Sequence, residues 1–581
     1  MVDEEKRTNE ALDASKKYNT VVEEANDYIE HFDILETITN VGNDEVFTPR
    51  KTCDMMLDSL PEEVWHNPLY KWLNPATKNG IFEREIALRL DKGLENVIKN
   101  KEERRKHILQ NMIFSIGQTK FTSNVARRTL YYCSQANRKC DGLKASDGHY
   151  VNGFAIGNGS WFETEEGNII TPNVKHEIDS KTKKCRFCGI AYDSKYLDAN
   201  QRETYAYEFI HHYHLVLERD LNIRFFGGNK KMKFDIIIGN PPYQLSDGGA
   251  QASARPIYHL FVNQAKVLNP KYLCMIIPSR WMVGGKGLDD FREAMLADTH
   301  IQLMHDYIDA KECFPSNDIT GGVCYFVWNR DYDGKCKIVT HSNGTTKESI
   351  RFLKEKGSDI FIRDETLISI LKKVKDNHSG KFADSVVSAR KPYGLEAETT
   401  LNPTKYGLPP FSETEIKGGY KIYGLGERGR RSFFYIPNDY PIPKLSGCAK
   451  KYKVFIAEAD GAAGQIGNPV PARIIGKPTI GEPFTICTET FLEIGPFDTE
   501  EEASCFANYI KTKFFRTLVG VVKQTQHTTQ KVYQYVPLLS MKNDLIDWKK
   551  PISEIDKQLY KLFKLSNEEI EFIEAHIQEM F

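Results

Sequence analysis

FDIIIGNPPYQL, residues 234–245, joins an apolar run to a rigid turn. Phe234 and Ile236 to Ile238 have the composition of a strand covered on both faces. Pro241 and Pro242 cannot donate ladder hydrogen bonds, so the strand ends at Asn240. In an open α/β sheet, ligands bind in the crevice beyond the carboxyl ends of the strands. The turn Asn240, Pro241, Pro242 and Tyr243 is therefore the candidate catalytic element, with a ligand held between the Asn240 amide, the Pro241 carbonyl and the Tyr243 ring.

Such a turn suits methylation of an exocyclic amine. The nitrogen lone pair of that amine is delocalised into its ring and attacks poorly. Two acceptors gripping both amino hydrogens localise the pair as the bond to carbon forms. The Asn240 side-chain oxygen and the Pro241 carbonyl have the chemistry for this, fixed beforehand by the prolines. Tyr243 offers a face for a base that has left its duplex. A sulfonium donor delivering its methyl group in line needs no strong general base.

With 581 residues the chain has room for two to four domains. Lys and Arg (78) nearly balance Asp and Glu (79), so global charge does not announce a nucleic-acid binder. The charge is unevenly distributed, acidic over residues 1–40 and modestly basic over 421–531. The opening MVDEEKRTNE is polar, and no apolar run reaches the ~18 residues of a membrane span. Twelve cysteines then suggest reduced thiols or metal ligands, and a cytoplasmic protein with no membrane partner is expected.

The pattern along the chain predicts seven segments. Residues 1–40 form an amino-terminal amphipathic helical segment, and 41–132 the first part of an α/β domain, with strand–helix units at KWLNPATKNGIFEREIALRL and NMIFSIGQTKFTSNVARRTLYY. A polar, Gly-rich insertion spans 133–204, and the α/β domain resumes over 205–345. There GGVCYFVWNR is expected as a late strand in a hairpin with CKIVTHS. A helical connector covers 346–384, an α+β domain 385–540 and carboxyl-terminal helices 541–581, with Ser566 capping the last of them.

Taken together, IIGNPPYQLSDGG, the upstream VFTP and the order of elements resemble the adenine-specific amino-group DNA methyltransferases of bacterial restriction–modification systems, in the class with a carboxyl-terminal target recognition domain. The resemblance covers about residues 41–345 in detail and the remainder in layout. It implies an α/β, Rossmann-like S-adenosylmethionine-dependent sheet of seven strands, the last antiparallel, with double-stranded DNA as partner. Asn74-Pro75-Ala76-Thr77-Lys78-Asn79-Gly80 occupies the place of the family's Gly-rich cofactor loop, with Asn74 in place of an acid and Lys78 available to the cofactor carboxylate. Gln118 or Thr119 stands where an acid grips the ribose, and Phe47, Thr48 and Pro49 resemble the segment over the methionine end, beside Asn240.

Cys185 and Cys188 have knuckle spacing, and Cys133 with Cys140 offers a second pair for a structural zinc, His149 and His176 being substitutes for either. In the recognition domain, Arg428, Arg430, Arg431, Lys523, Gln524, Gln526 and Lys531 are the candidate DNA contacts. Glu415-x-Lys417 ends a common nuclease pattern, but such a tripeptide arises by chance in a chain that is 27% charged. Cleavage is therefore expected from a separate restriction nuclease subunit. Competing readings are an amino-group methyltransferase acting on RNA or protein glutamine, and a noncatalytic DNA-binding subunit that kept the fold.

Overall fold

The computed structural model describes residues 46–131, 135–137, 161–172, 174, 176–190, 205–211, 233–245, 255–285, 287–342, 344–355, 358–426, 431–459, 466, 470–523, 527–542 and 545–580. The expected helical segment 1–40 lies outside the described residues. Among them, no helix is long and apolar enough to cross a membrane.

The apolar runs assemble into a nine-stranded sheet. Its strands are β1 (Trp72–Thr77), β2 (Ile113–Gly117), β3 (Ile169–Ile170), β4 (Ile236–Gly239), β5 (Tyr272–Pro278), β6 (Ile301–Tyr307), β7 (Val323–Asn329), β8 (Cys336–Ser342) and β9 (Thr345–Arg351). Their order is β3-β2-β1-β4-β5-β7-β6-β8-β9. β4 lies parallel to both β1 and β5. Its side chains alternate between two cores. Ile236 and Ile238 face the cluster containing Trp72, Ile113 and Ile276. Ile237 faces the one containing Leu73, Phe114 and Met275. Burial on both sides is why this strand reads as an uninterrupted apolar run.

Helices α1 (Arg50–Asp58), α2 (Ile81–Gly93), α3 (Lys120–Tyr131), α4 (Glu208–His211) and α5 (Tyr258–Val267) accompany the parallel half. The strands β1, β2 and β4 end on one edge, where β1 runs into Lys78, β2 into Gln118 and β4 into Asn240.

Three local expectations are corrected. β7 does not pair with β8. It inserts antiparallel between β5 and β6, where all but its last residue are buried. β8 instead pairs with β6 in parallel and with β9 in antiparallel. Residues 346–351, placed by sequence at the start of a helical connector, belong to that edge strand β9; the connector helix is confined to α6 (Glu365–Asp376). Ile169–Ile170, within the segment read as an insertion, adds β3 to the sheet beside β2.

Beyond α6 lie two three-stranded sheets. One has the order β11 (Arg431–Ile436), β10 (Tyr420–Leu425), β14 (Thr485–Cys487); the other β13 (Thr479–Gly481), β12 (Tyr452–Ala457), β15 (Phe491–Phe497). The buried face of α6 (Leu367, Ile370, Leu371, Val374) shares one core with β12, β15 and the carboxyl-terminal helices 552–562 and 567–576. Ser566 caps the last helix reciprocally with Glu569, as its sequence spacing predicts.

Candidate active site

Asn240 emerges from β4 only 3% exposed. Its Nδ2 donates to Val46 O and to Thr48 Oγ1, each at 3.1 Å. Its Oδ1 is buried and makes no hydrogen bond among the described residues. The amide is thus oriented by its donor end, leaving the acceptor end unspent. Burying an unsatisfied carbonyl costs free energy, so such an atom is commonly reserved for a ligand. Val46, Phe47 and Thr48 are all buried, and Pro49 immediately precedes α1.

The loop after β1 closes the other wall. Lys78 is buried, and its Nζ donates to Val46 O at 2.8 Å, so two side chains converge on one carbonyl. Asn74 Oδ1 accepts from Ala76 N at 3.1 Å, and its Nδ2 donates to Glu83 Oε1 at 2.9 Å. A Cβ on Gly239 would lie 2.5 Å from Asn74 Oδ1, so a side chain there would push the Asn74 amide out of its place. Pro75 and Ala76 are buried within β1, and Gly80 precedes α2.

Glu83 is a participant that sequence reading did not single out. It is fully buried on the first turn of α2 and accepts from Ser115 Oγ at 2.6 Å as well as from Asn74. Burial raises its carboxyl above the usual range, against the pull of those hydrogen bonds. The signal was available in GIFERE, an acid on the buried face of a helix that begins at the loop. It reads equally well as an ordinary first-turn acid.

Together these residues line a tight crevice bounded by Thr48, Ala76, Lys78, Gly80, Glu83 and Asn240, with about 10 Å³ of space open to a water-sized group. Gln118 is 2% exposed; its backbone N donates to Thr77 O at 3.1 Å, and its Oε1 has no hydrogen bond among the described residues. Two unspent buried acceptors, on Asn240 and Gln118, fit a ligand bearing amino and hydroxyl donors. The crevice as it stands is far too small for a nucleoside cofactor, and side chains that line it, Lys78 with its bond to Val46 O among them, have to move to admit one.

Tyr243 is 7% exposed and packs within the cluster that includes Tyr307, Cys313 and Phe314. Burial pushes its hydroxyl well above the usual range. Its backbone continues into a short bridge. Ile257 N donates to Tyr243 O at 3.1 Å, and Leu245 N to Arg255 O at 2.9 Å.

The metal-binding candidates separate. Cys133, Cys140 and His149 lie outside the described residues. Cys185 and Cys188 are buried, and they come together with His176 and with His211, a residue that sequence reading missed.

The DNA-binding candidates also separate. Arg428, Arg430, Gln524 and Gln526 lie outside the described residues. Arg431 opens β11, opposite Leu425 of β10. The outward side of this pair carries Phe433, 41% exposed, which stacks on Tyr423 at 4.9 Å with Lys421 Nζ 4.2 Å above its ring. Lys531 is accessible and lies 3.6 Å from Asp359. Lys523 is corrected: it is 1% exposed at the end of the helix 513–522, where that helix packs into the core, and does not present a cation to solvent.

Three neighbouring parallel strands that end along one edge in Asn-Pro-Pro-Tyr, a polar loop and Gln118 are the arrangement expected of an amino-group methyltransferase. The model of the Eco57I restriction-modification methylase family matches residues 111–314. An uncharacterized adenine-specific methylase of Mycoplasma pneumoniae (strain ATCC 29342 / M129 / Subtype 1) is 49% identical over 317 residues, which are 53% of this chain and 72% of that one. The chain belongs to this family of adenine-specific, restriction-modification-type methylases. Among solved structures, the Type IIL restriction-modification enzyme MmeI in complex with DNA aligns at 11% identity and TM-score 0.45, covering 90% of this chain and 74% of that one. A nuclease-deletion mutant of the Type ISP enzyme LlaGI with a DNA substrate mimic aligns at 12% identity and TM-score 0.42, covering 90% and 47%.

Proposed function

We propose that this protein methylates the exocyclic amino group of adenine in a specific DNA sequence, as the modification activity of a restriction–modification system. The observation that carries the reading is the Asn240 amide, anchored through Nδ2 to Val46 and Thr48 with Oδ1 buried and uncommitted. S-adenosylmethionine, when bound, supplies an electrophilic methyl group.

The chain's own residues do the rest. Asn240 Oδ1 accepts one amino hydrogen of the adenine and the Pro241 carbonyl accepts the other. With both hydrogens held, the nitrogen pair is localised for attack on the methyl group that S-adenosylmethionine would supply, and the proton then shed by the nitrogen goes to water, the two oxygens being too weakly basic to keep it. Because the acceptors are fixed before the reaction, they stabilise the charge developing on nitrogen without reorganising. Gln118 Oε1 is the acceptor for a cofactor hydroxyl, and the buried Lys78 ammonium is the partner for its carboxylate. Phe47, Thr48 and Pro49 cover that end.

The adenine reaches the crevice by leaving its duplex, and stacking on Tyr243 requires uncovering a ring that is 7% exposed. Arg431 and Lys531, with Arg428, Arg430, Gln524 and Gln526, are the side chains for phosphates and base edges. Cleavage belongs to a separate nuclease subunit. The cysteine-bearing insertion holds a structural zinc. Methyl transfer from labelled S-adenosylmethionine to duplex DNA carrying the recognition sequence tests the reading; transfer to RNA or protein glutamine and not to DNA would contradict it.

A further inference from the structure

Away from the catalytic turn, four metal-binding side chains converge. His176, Cys185, Cys188 and His211 bring one ligand atom each within 4.8 Å of one another. Cys188 Sγ lies 3.6 Å from His176 Nδ1. That matches the edge of a tetrahedron, about 3.5 Å, built on zinc bonds of about 2.0–2.3 Å.

The local backbone is a knuckle. Gly189 N donates to Cys185 O at 2.9 Å, Cys185 N to Ile190 O at 2.8 Å, and Asp179 N to Lys184 O at 2.9 Å. Ile178 and Cys185 are bridged, which carries His176 to the cysteines. His211 arrives separately from α4, its ring edge-on to His176 with centroids 4.7 Å apart. Two thiolates and two imidazoles satisfy a tetrahedral zinc and leave no open position.

The knuckle also touches the catalytic turn's continuation. A Cβ on Gly189 would lie 3.0 Å from Arg255 Nη1. Arg255 belongs to the short bridge that follows Tyr243, in which Gln244 pairs with Pro256. Cys185, Cys188 and Ile190 share one apolar cluster with Leu245 and Ile257.

We propose that His176, Cys185, Cys188 and His211 hold one structural zinc ion, and that this ion joins the cysteine hairpin to α4 and buttresses the residues leaving the catalytic turn. The importance of that turn rests on the methyltransferase reading above; the metal site does not.

Elemental analysis and zinc-edge X-ray absorption on the full chain, purified without chelator, test the site. One zinc per chain is expected, with two sulfurs at about 2.3 Å and two nitrogens at about 2.0 Å. Four sulfurs would move the ligands to Cys133 and Cys140 and overturn the assignment, as would an absence of zinc. His211→Ala should lose zinc and His149→Ala should keep it; the reverse overturns the ligand set. Asn240→Ala should retain full zinc whatever its activity, which separates this inference from the catalytic one. The buttress is read by hydrogen exchange on removing zinc. Amides of Leu245 and Ile257 should exchange at least tenfold faster while Leu73 in β1 is unchanged. Unaltered exchange at Leu245 and Ile257, or an equal rise at Leu73, overturns it.

Discussion

Asn240 donates from Nδ2 to Thr48 Oγ1 at 3.1 Å, tying the catalytic turn to the segment that precedes α1, 192 residues earlier in the chain. That bond, with its companion to Val46 O, fixes which end of the amide faces the crevice. Thr48→Val keeps the shape and removes one of the two acceptors. A neutral hydrogen bond contributes about 0.5–1.5 kcal/mol, so kcat for methyl transfer should fall by roughly 2- to 10-fold. Steady-state kinetics with labelled cofactor checks this. An unchanged kcat would show that Val46 alone orients the amide.

Lys78 decides how the cofactor fits. Its Nζ is engaged by Val46 O at 2.8 Å beside a crevice with about 10 Å³ of open space. If that ammonium is handed to the cofactor carboxylate, Lys78→Met weakens S-adenosylmethionine binding by roughly 10-fold, the effect of losing a charge-assisted hydrogen bond of about 1.5 kcal/mol. Calorimetry measures it. Tighter binding in the variant would mean that Lys78 obstructs the crevice instead.

The recognition domain offers a paired comparison. Lys531 is accessible and Lys523 is buried. Lys531→Ala should weaken DNA binding and reduce the slope of log K against log salt by about one ion. Lys523→Ala should instead lower the melting temperature and leave the salt slope unchanged. Binding titrations at several salt concentrations, run beside thermal melts, distinguish the two.

Asp556 supplies a stability switch. Its carboxylate accepts from Lys513 N at 3.0 Å and Phe514 N at 2.9 Å, holding the start of the helix 513–522. Burial nevertheless pushes it up to about 6 from an ordinary 3.8. A carboxyl raised on folding binds its proton more tightly in the native state. Its contribution is therefore complete below pH 3.8 and is lost as pH rises through about 6. Relative to Asp556→Asn, the wild type should lose stability between pH 4 and pH 6, by up to about 3 kcal/mol. Denaturant melts of both proteins across that range check the sign; a wild type that gains on the variant as pH rises would contradict it.

Much of the sheet was legible because its strands are buried on both faces. β4 and β5 read as apolar runs and β2 as one broken only by Ser115, and the prolines marked the end of β4 without help from tertiary contacts. The slot of β7 was not legible. Its run of buried residues identifies a central strand but not its neighbours, since pairing is set by contacts distant in sequence. β9 was invisible for the opposite reason: TTKESIR is an edge strand with its side chains mostly toward solvent, so neither period shows, and its charges suggested a helix. His211 escaped because it lies outside the cysteine hairpin, and only the fold returns it to Cys188. Lys523 was misjudged because a lysine that closes a buried helix looks, in sequence, like one that faces DNA.

Modified-base sequencing of DNA from cells expressing the wild type or Asn240→Ala tests the central claim most directly. Methyladenine at one short motif in the wild type, lost in the variant, is the predicted result. Methylation persisting at the same motif in Asn240→Ala would contradict the role given to its amide oxygen, and no methyladenine in either would contradict the proposed activity.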